Sequence, residues 1–302
     1  MRQKILATTA AAVLSFGLAG TSSAATLELG LVIDASGSIS AEDWGLQIGA
    51  YQSVFEDNFY STFVADSPFD DIAVGAYVFS GFITDFADAP PEFSDFFAVL
   101  EFIPWTLITD DQSAAEFGAQ FADLSQSGGG TATAKALRTA TNGGDVGCPV
   151  GLTLNQFECG GISTAPGILN NGFEGDRLVI DISTDGVPTL PAGDSPPGGA
   201  QPNDEDRADA LAAANEARGE SIVVNAIGVG GIDSAFLTSL VGIDPAETPE
   251  GFFLEADDFD AFEETLRIKL DAEINVIPIP GALPLFFSAL AGLGLWRRRT
   301  HH

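Results

Sequence analysis

Continuous apolar runs alternate with stretches of helical period along this chain, and that alternation predicts its elements. Leu27 to Ile33 (LELGLVI) is an apolar run ending at Asp34, and Arg177 to Thr184 (RLVIDIST) and Ser221 to Val229 (SIVVNAIGV) are of the same kind. Runs like these are typical of strands covered on both faces of a parallel sheet. Asp71 to Phe79 (DIAVGAYVF) is another, and Ser80-Gly81 predicts a tight turn into Phe82-Ile83-Thr84 as an antiparallel edge hairpin. Shorter strands are expected at Ile103 to Ile108 and Phe252 to Leu254.

Between the strands lie helical patterns. Ser40-Ala41-Glu42-Asp43 has the Ser-x-x-acid form of a capping box and opens an amphipathic stretch towards Asn58. Asp110 to Leu124, Thr131 to Thr141, the alanine-rich Asn203 to Arg218, and Asp258 to Leu270 follow, the last with acids at its start, where the helix dipole favours them. Strands alternating with helices predict one α/β domain, residues 26–275, with a mostly parallel central sheet, one antiparallel edge strand and helices on both faces. Two loops interrupt it: a Gly-rich one at about 142–175 and a Pro/Gly-rich one at about 188–202.

The two ends have a different character. Arg2 and Lys4, then a mostly apolar stretch from Ile5 to Ala19, then Ser23-Ala24-Ala25 make residues 1–25 a secretory signal by pattern. Val276 to Trp296 carries no charge and is followed by Arg297-Arg298-Arg299. Its 21 residues would as a helix just span a hydrocarbon layer of about 30 Å, with the arginines on the cytoplasmic side. A short Pro-containing motif (IPIPGALPL), an apolar stretch and a terminal Arg cluster, in that order, resemble the PEP-CTERM class of bacterial sorting signals. That resemblance implies a Gram-negative envelope, an exosortase-type processing protease and delivery to the cell surface or extracellular matrix. Gly281 stands where that class has Ala, and both a cleaved signal and an uncleaved anchor fit residues 276–302.

Composition narrows the chemistry. The 302 residues include 12 Lys+Arg against 43 Asp+Glu. Without the two ends the body keeps seven basic residues and all the acids, a net charge of −36. Nucleic acid is excluded as a partner, because phosphate binding needs clustered Lys and Arg. The only histidines are His301 and His302, so the body holds no Ser-His-Asp triad and no His-ligated zinc. Cys148 and Cys159 both lie in the first loop; in an exported chain such a pair is expected to form a disulfide, with two thiols as the alternative.

Three pieces fall at the carboxyl ends of expected strands or at the head of a helix, where ligand sites of open α/β sheets lie. They are Asp34-Ala35-Ser36-Gly37-Ser38, Gly130-Thr131 and Thr184-Asp185-Gly186. All their donors are oxygens, which suits a hard divalent cation, Mg²⁺ or Mn²⁺. Gly128 to Ala136 fails as a phosphate loop, since Ala134 and Ala136 flank Lys135 where Gly and Ser or Thr are needed. Asp257-Asp258-Phe259-Asp260 lacks the spacing of a calcium loop.

At these pieces the sequence resembles the von Willebrand factor type A (VWA) family: DASGS matches Asp-x-Ser-x-Ser, GGGTATAKAL the Gly-Gly-Thr turn with its helix, and STDG the Thr-Asp-Gly element. The resemblance implies a Rossmann-like three-layer fold and a metal-ion-dependent adhesion site of Asp34, Ser36, Ser38, Thr131 and Asp185. It implies Ser36, Ser38 and Thr131 as direct ligands, with Asp34 and Asp185 acting partly through water. The function expected is an exported binding module, not an enzyme, that captures an acidic oxygen donor on a protein or matrix polymer. A matrix building element whose metal only steadies loops is the alternative, and a metal-dependent hydrolase the weakest reading, since no acid–base group accompanies the site.

Overall fold

A computed structural model describes residues 26–81, 99–150, 153–163, 170–189, 204–242 and 251–275. The expected leader, the 276–302 segment, the Phe82–Thr84 strand and most of the Pro/Gly-rich loop lie outside these residues. No helix among the described residues is long and apolar enough to cross a membrane.

Among the described residues, β1 (Thr26–Asp34), β2 (Asp71–Phe79), β3 (Val99–Ile108), β6 (Arg177–Thr184), β7 (Ile222–Val229) and β8 (Phe253–Ala256) make one sheet. Their order across it is β3-β2-β1-β6-β7-β8. All pairings are parallel except β2 with β3. The antiparallel edge strand is thus present, but it is Val99–Ile108 and longer than its apolar segment suggested. Its ladder with β2 is irregular around Gly75, opposite Pro104 and Trp105. Proline is tolerated there because an edge strand has one side without ladder bonds.

Helices α1 (Ala41–Glu56), α2 (Asp111–Ala119) and α6 (Phe262–Ile274) cover one face. Ser40 caps α1 by accepting the Asp43 N–H at 3.1 Å. Asp110 and Ser113 form a reciprocal capping box on α2. The core under these helices is aromatic: Tyr51 stacks on Phe121 at 5.3 Å between centroids, and Phe55 meets Phe117 edge-on at 4.9 Å. Each fully buried Phe contributes about 1.5–3 kcal/mol by leaving water. The other face carries α3 (Thr133–Asn142), α4 (Asp204–Gly219) and α5 (Ser234–Val241). There Ala134, Ala136, Ala140, Ala210, Ala213, Ala214 and Ala217 are fully buried, which lets α3 and α4 pack closely. Helix α5, absent from the sequence expectation, is an eight-residue helix capped by Asp233.

The aromatic face also holds charge. Asp181 of β6, Asn225 of β7 and Lys269 and Glu273 of α6 are completely buried. The Lys269 ammonium pairs with Asp181 and lies 2.6 Å from Glu273 Oε1, which also accepts from Asn225 at 2.7 Å. Burial, reinforced by the charge of Asp181 and opposed by Lys269, pushes the Glu273 carboxyl up to about 7.

The 142–175 region is not a plain loop. It contains an antiparallel hairpin of β4 (Gly144–Val150) and β5 (Thr153–Cys159). The ladder sets Cys148 opposite Asn155 and Cys159 opposite Gly144. The cysteines are therefore four ladder steps apart, about 13 Å at the usual strand rise, whereas a disulfide requires Cα atoms within about 7 Å. The backbone register thus sets the expected Cys148–Cys159 pair farther apart than a disulfide spans, and Cys159 is buried. The region is fastened to the sheet by Tyr77 and Trp105, whose hydroxyl and indole N–H donate to the Gly160 carbonyl at 2.6 and 3.2 Å.

Candidate metal centre

Strand β1 lies between β2 and β6, and the chain winds outward from it in both directions. A crevice opens at such a reversal, beyond the carboxyl ends of the strands. The parallel register pairs Ile33 with Ser183, so Asp34 and Thr184 emerge side by side at that rim.

The first turn folds on the Asp34 side chain. Its Oδ1 accepts the Ser36 N–H at 2.8 Å, and its carbonyl accepts from Gln47 Nε2 of α1 at 3.0 Å. Gly37 then passes close to Gly129: its N–H donates to the Gly129 carbonyl at 2.8 Å, and a Cβ at Gly37 would stand 3.1 Å from that oxygen. Gly81 and Gly130 form a reciprocal bridge that holds the glycine turn against the end of β2. These backbone contacts deliver Thr131 to the same rim.

The side chains meet there. Ser36 Oγ lies 3.0 Å from Ser38 Oγ, and Ser38 Oγ donates to Asp185 Oδ1 at 2.7 Å. Thr184 Oγ1 donates to Asp34 Oδ2 at 2.6 Å. A Cβ on Gly186 would stand 3.8 Å from Ser38 Oγ and 4.0 Å from Thr131 Oγ1, so those hydroxyls flank one point. All five residues singled out in the sequence come together, from segments about 150 residues apart. Asp34, Ser36 and Thr131 are buried, Asp185 is half-buried and Ser38 faces solvent, giving a sunken floor with an open lip.

Burial pushes the Asp34 carboxyl up to about 7, with the Asp185 charge adding to it and the Thr184 and Ser36 hydrogen bonds opposing it. Asp185 is raised as well, by burial and the charge of Asp43, against the Ser38 hydrogen bond. Among the described residues, none of the groups named as acting on either acid is a cation. The donor set fits a hard divalent ion: two carboxylates and three hydroxyls, all oxygen. Ligands on adjacent corners of an octahedron of radius about 2.1 Å stand about 3.0 Å apart, close to the spacing of the two serine hydroxyls. Among the described residues there is no group of three or more His, Cys, Asp or Glu, so any ion held here depends on hydroxyls.

The sequence reading did not anticipate Gln47, or Thr184 as the direct partner of Asp34. Thr184 stood in the STDG element, but a partner side by side in a parallel register is visible only once β1 and β6 are paired.

No family profile matches the chain, and no curated protein does either. Among solved structures, the pilus adhesin SpaC from Lactobacillus rhamnosus GG aligns with a TM-score of 0.51 at 16% identity, over 83% of this chain and 31% of that one. The vWF domain of the type V pili tip protein Mfa5 from Porphyromonas gingivalis aligns at 0.45 and 10% identity, over 85% and 99%. Proximal thread matrix protein 1 from the mussel byssus, solved with a zinc-occupied MIDAS motif, aligns at 0.49 and 14%, over 83% and 48%. The chain shares with SpaC an α/β architecture, here a mostly parallel sheet with helices on both faces. At these identities the likeness is one of architecture, and the chain spans about half of the byssus protein and a third of SpaC.

Proposed function

We propose that this chain is an exported, surface- or matrix-associated binding module that engages its partner through a hard divalent cation at the rim. Asp34, Ser36, Ser38, Thr131 and Asp185 are the residues that would hold the ion, Mg²⁺ or Mn²⁺. When bound, such an ion supplies a Lewis-acidic position able to accept an oxygen of a partner's carboxylate. The chain's own residues do the rest: Thr184 and the Ser36 N–H orient Asp34, and Asp185 orients Ser38.

The observation that carries this reading is the unbroken line of hydroxyl and carboxylate oxygens from Ser36 through Ser38 to Asp185, above a buried Asp34. The adhesin among the proteins of like fold supports the placement outside the cell. The signal-like residues 1–25 and the sorting-like residues 276–302, with their implied exosortase-type protease, belong to the same proposal on sequence alone. Among the described residues the rim offers no positioned general acid or base beyond the two acids themselves, and the reading is one of binding rather than catalysis.

Calorimetric titration of wild type and Asp34→Ala with Mg²⁺ and Mn²⁺ tests the ion, and attachment to a surface displaying glutamate-containing peptides tests the partner. Mn²⁺-dependent attachment that EDTA reverses is the expected result. Attachment that survives EDTA would favour the matrix-building alternative, and an ion bound equally by Asp34→Ala would refute the assigned site.

A further inference from the structure

Thr131 reaches the rim without support from the helix that follows it. Helix α3 starts at Thr133, and its N-cap, Ala132, has no side chain able to cap. A single residue from another segment holds Thr131 instead. The Thr131 N–H donates to Thr189 Oγ1 at 2.7 Å, and the Thr189 N–H donates to the Thr131 carbonyl at 3.1 Å. Both backbone polar groups of Thr131 are thus taken up by Thr189. Thr131 is 4% exposed, so water is a poor substitute for either bond.

Thr189 is itself well fixed. It lies four residues after Asp185, and the intervening turn is closed by Thr184 Oγ1, which accepts the Gly186 N–H at 3.2 Å while its proton goes to Asp34. Val187 packs against the alanine-rich core, and Pro188 is buried with its φ restricted by the ring. The segment 184–189 therefore carries an acid at one end and a backbone clamp at the other, with little freedom between them.

We propose that Thr189 is a positioning residue of the cation site: it locks the backbone of Thr131 to the segment bearing Asp185, so that these two donors form one rigid half of the site before any ion arrives. This deepens, and rests on, the reading of the rim as a cation site. Ser36 and Ser38 form the other half, and the Ser38–Asp185 hydrogen bond is the seam between the halves. A preorganised half needs no ordering when the ion binds, so loosening the clamp weakens binding without unfolding the domain.

The test compares full-length wild type with Thr189→Val, which keeps the shape but removes the acceptor, and Thr189→Ser, which restores it. Amide hydrogen exchange in EDTA reads the clamp, and Mn²⁺ titration reads its consequence. In Thr189→Val, the Thr131 amide is expected to exchange faster and Mn²⁺ to bind about tenfold more weakly, while the unfolding midpoint in EDTA falls only by what one lost hydrogen bond costs and the domain stays folded. Thr189→Ser is expected to regain wild-type values for both. Unchanged Thr131 exchange in Thr189→Val overturns the clamp. Faster exchange with undiminished Mn²⁺ affinity overturns the positioning role while the cation reading stands. Wild type that binds no Mn²⁺ overturns the cation reading and the positioning role with it.

Discussion

Asp34 combines two demands that conflict in the absence of a cation. It ends a strand buried on both faces, yet its carboxylate must be ionised to serve a metal, and burial opposes ionisation. Asp34→Asn is accordingly expected to lose the Mg²⁺-dependent rise in melting temperature without lowering the midpoint in EDTA. For wild type that rise corresponds to about 2.7 kcal/mol at a hundredfold excess over Kd, and scanning calorimetry with and without the ion measures it. Glu273 poses a similar conflict at a site with no ligand role. Two buried carboxylates share the Lys269 ammonium, and the folded pKa of Glu273, about 7, lies above its ordinary 4.5. Its contribution to stability is therefore fully present below pH 4.5 and is lost as pH rises through 7. Glu273→Gln should raise the melting temperature at pH 8 by on the order of 1 kcal/mol, about 2–4 °C, and much less at pH 5. A gain of equal size at both pH values would refute the assignment.

Among the elements, β3 and the hairpin beside it depend on one tryptophan. A Cβ on Gly75 would stand 2.8 Å from the Trp105 ring, while the same indole donates to Tyr77 and to Gly160. Gly75→Ala is expected to cost about 1–3 kcal/mol through overpacking, read by urea denaturation. Trp105→Phe should leave the main sheet intact and speed proteolysis within residues 144–163. The parallel strands were legible in the sequence because burial on both faces leaves a continuous apolar run, as in RLVIDIST, whose limits coincide with β6. The edge was less legible. Only Ile103–Ile108 showed a pattern, since a strand interrupted by Pro104 and paired through bulges keeps no clean alternation. The hairpin was hidden by Gly and Pro at strand positions, and spacing alone suggested a disulfide between positions that its ladder sets four steps apart. The site residues were legible because each stands at the end of a strand or the head of a helix that could be read. Their supports, Gln47, Thr184 and Thr189, were not, because such contacts depend on pairing between distant segments.

For the whole molecule, charge is the dominant feature. With 12 basic and 43 acidic residues, the chain carries a net charge of −31 that repels itself. Raising salt from about 10 mM to about 150 mM shortens the screening length from about 30 Å to about 8 Å, so the melting temperature should rise by a few degrees. A flat response in calorimetry would mean that the acids are already neutralised in local pairs. The rim has one more consequence, through the order in which the polypeptide is made. Asp34 hydrogen-bonds to a residue 150 positions later, and Ser38 to one 147 later. A nascent chain leaving the ribosome amino end first can have no working grip until its second half has emerged, so truncated products, however abundant, would be unable to hold on.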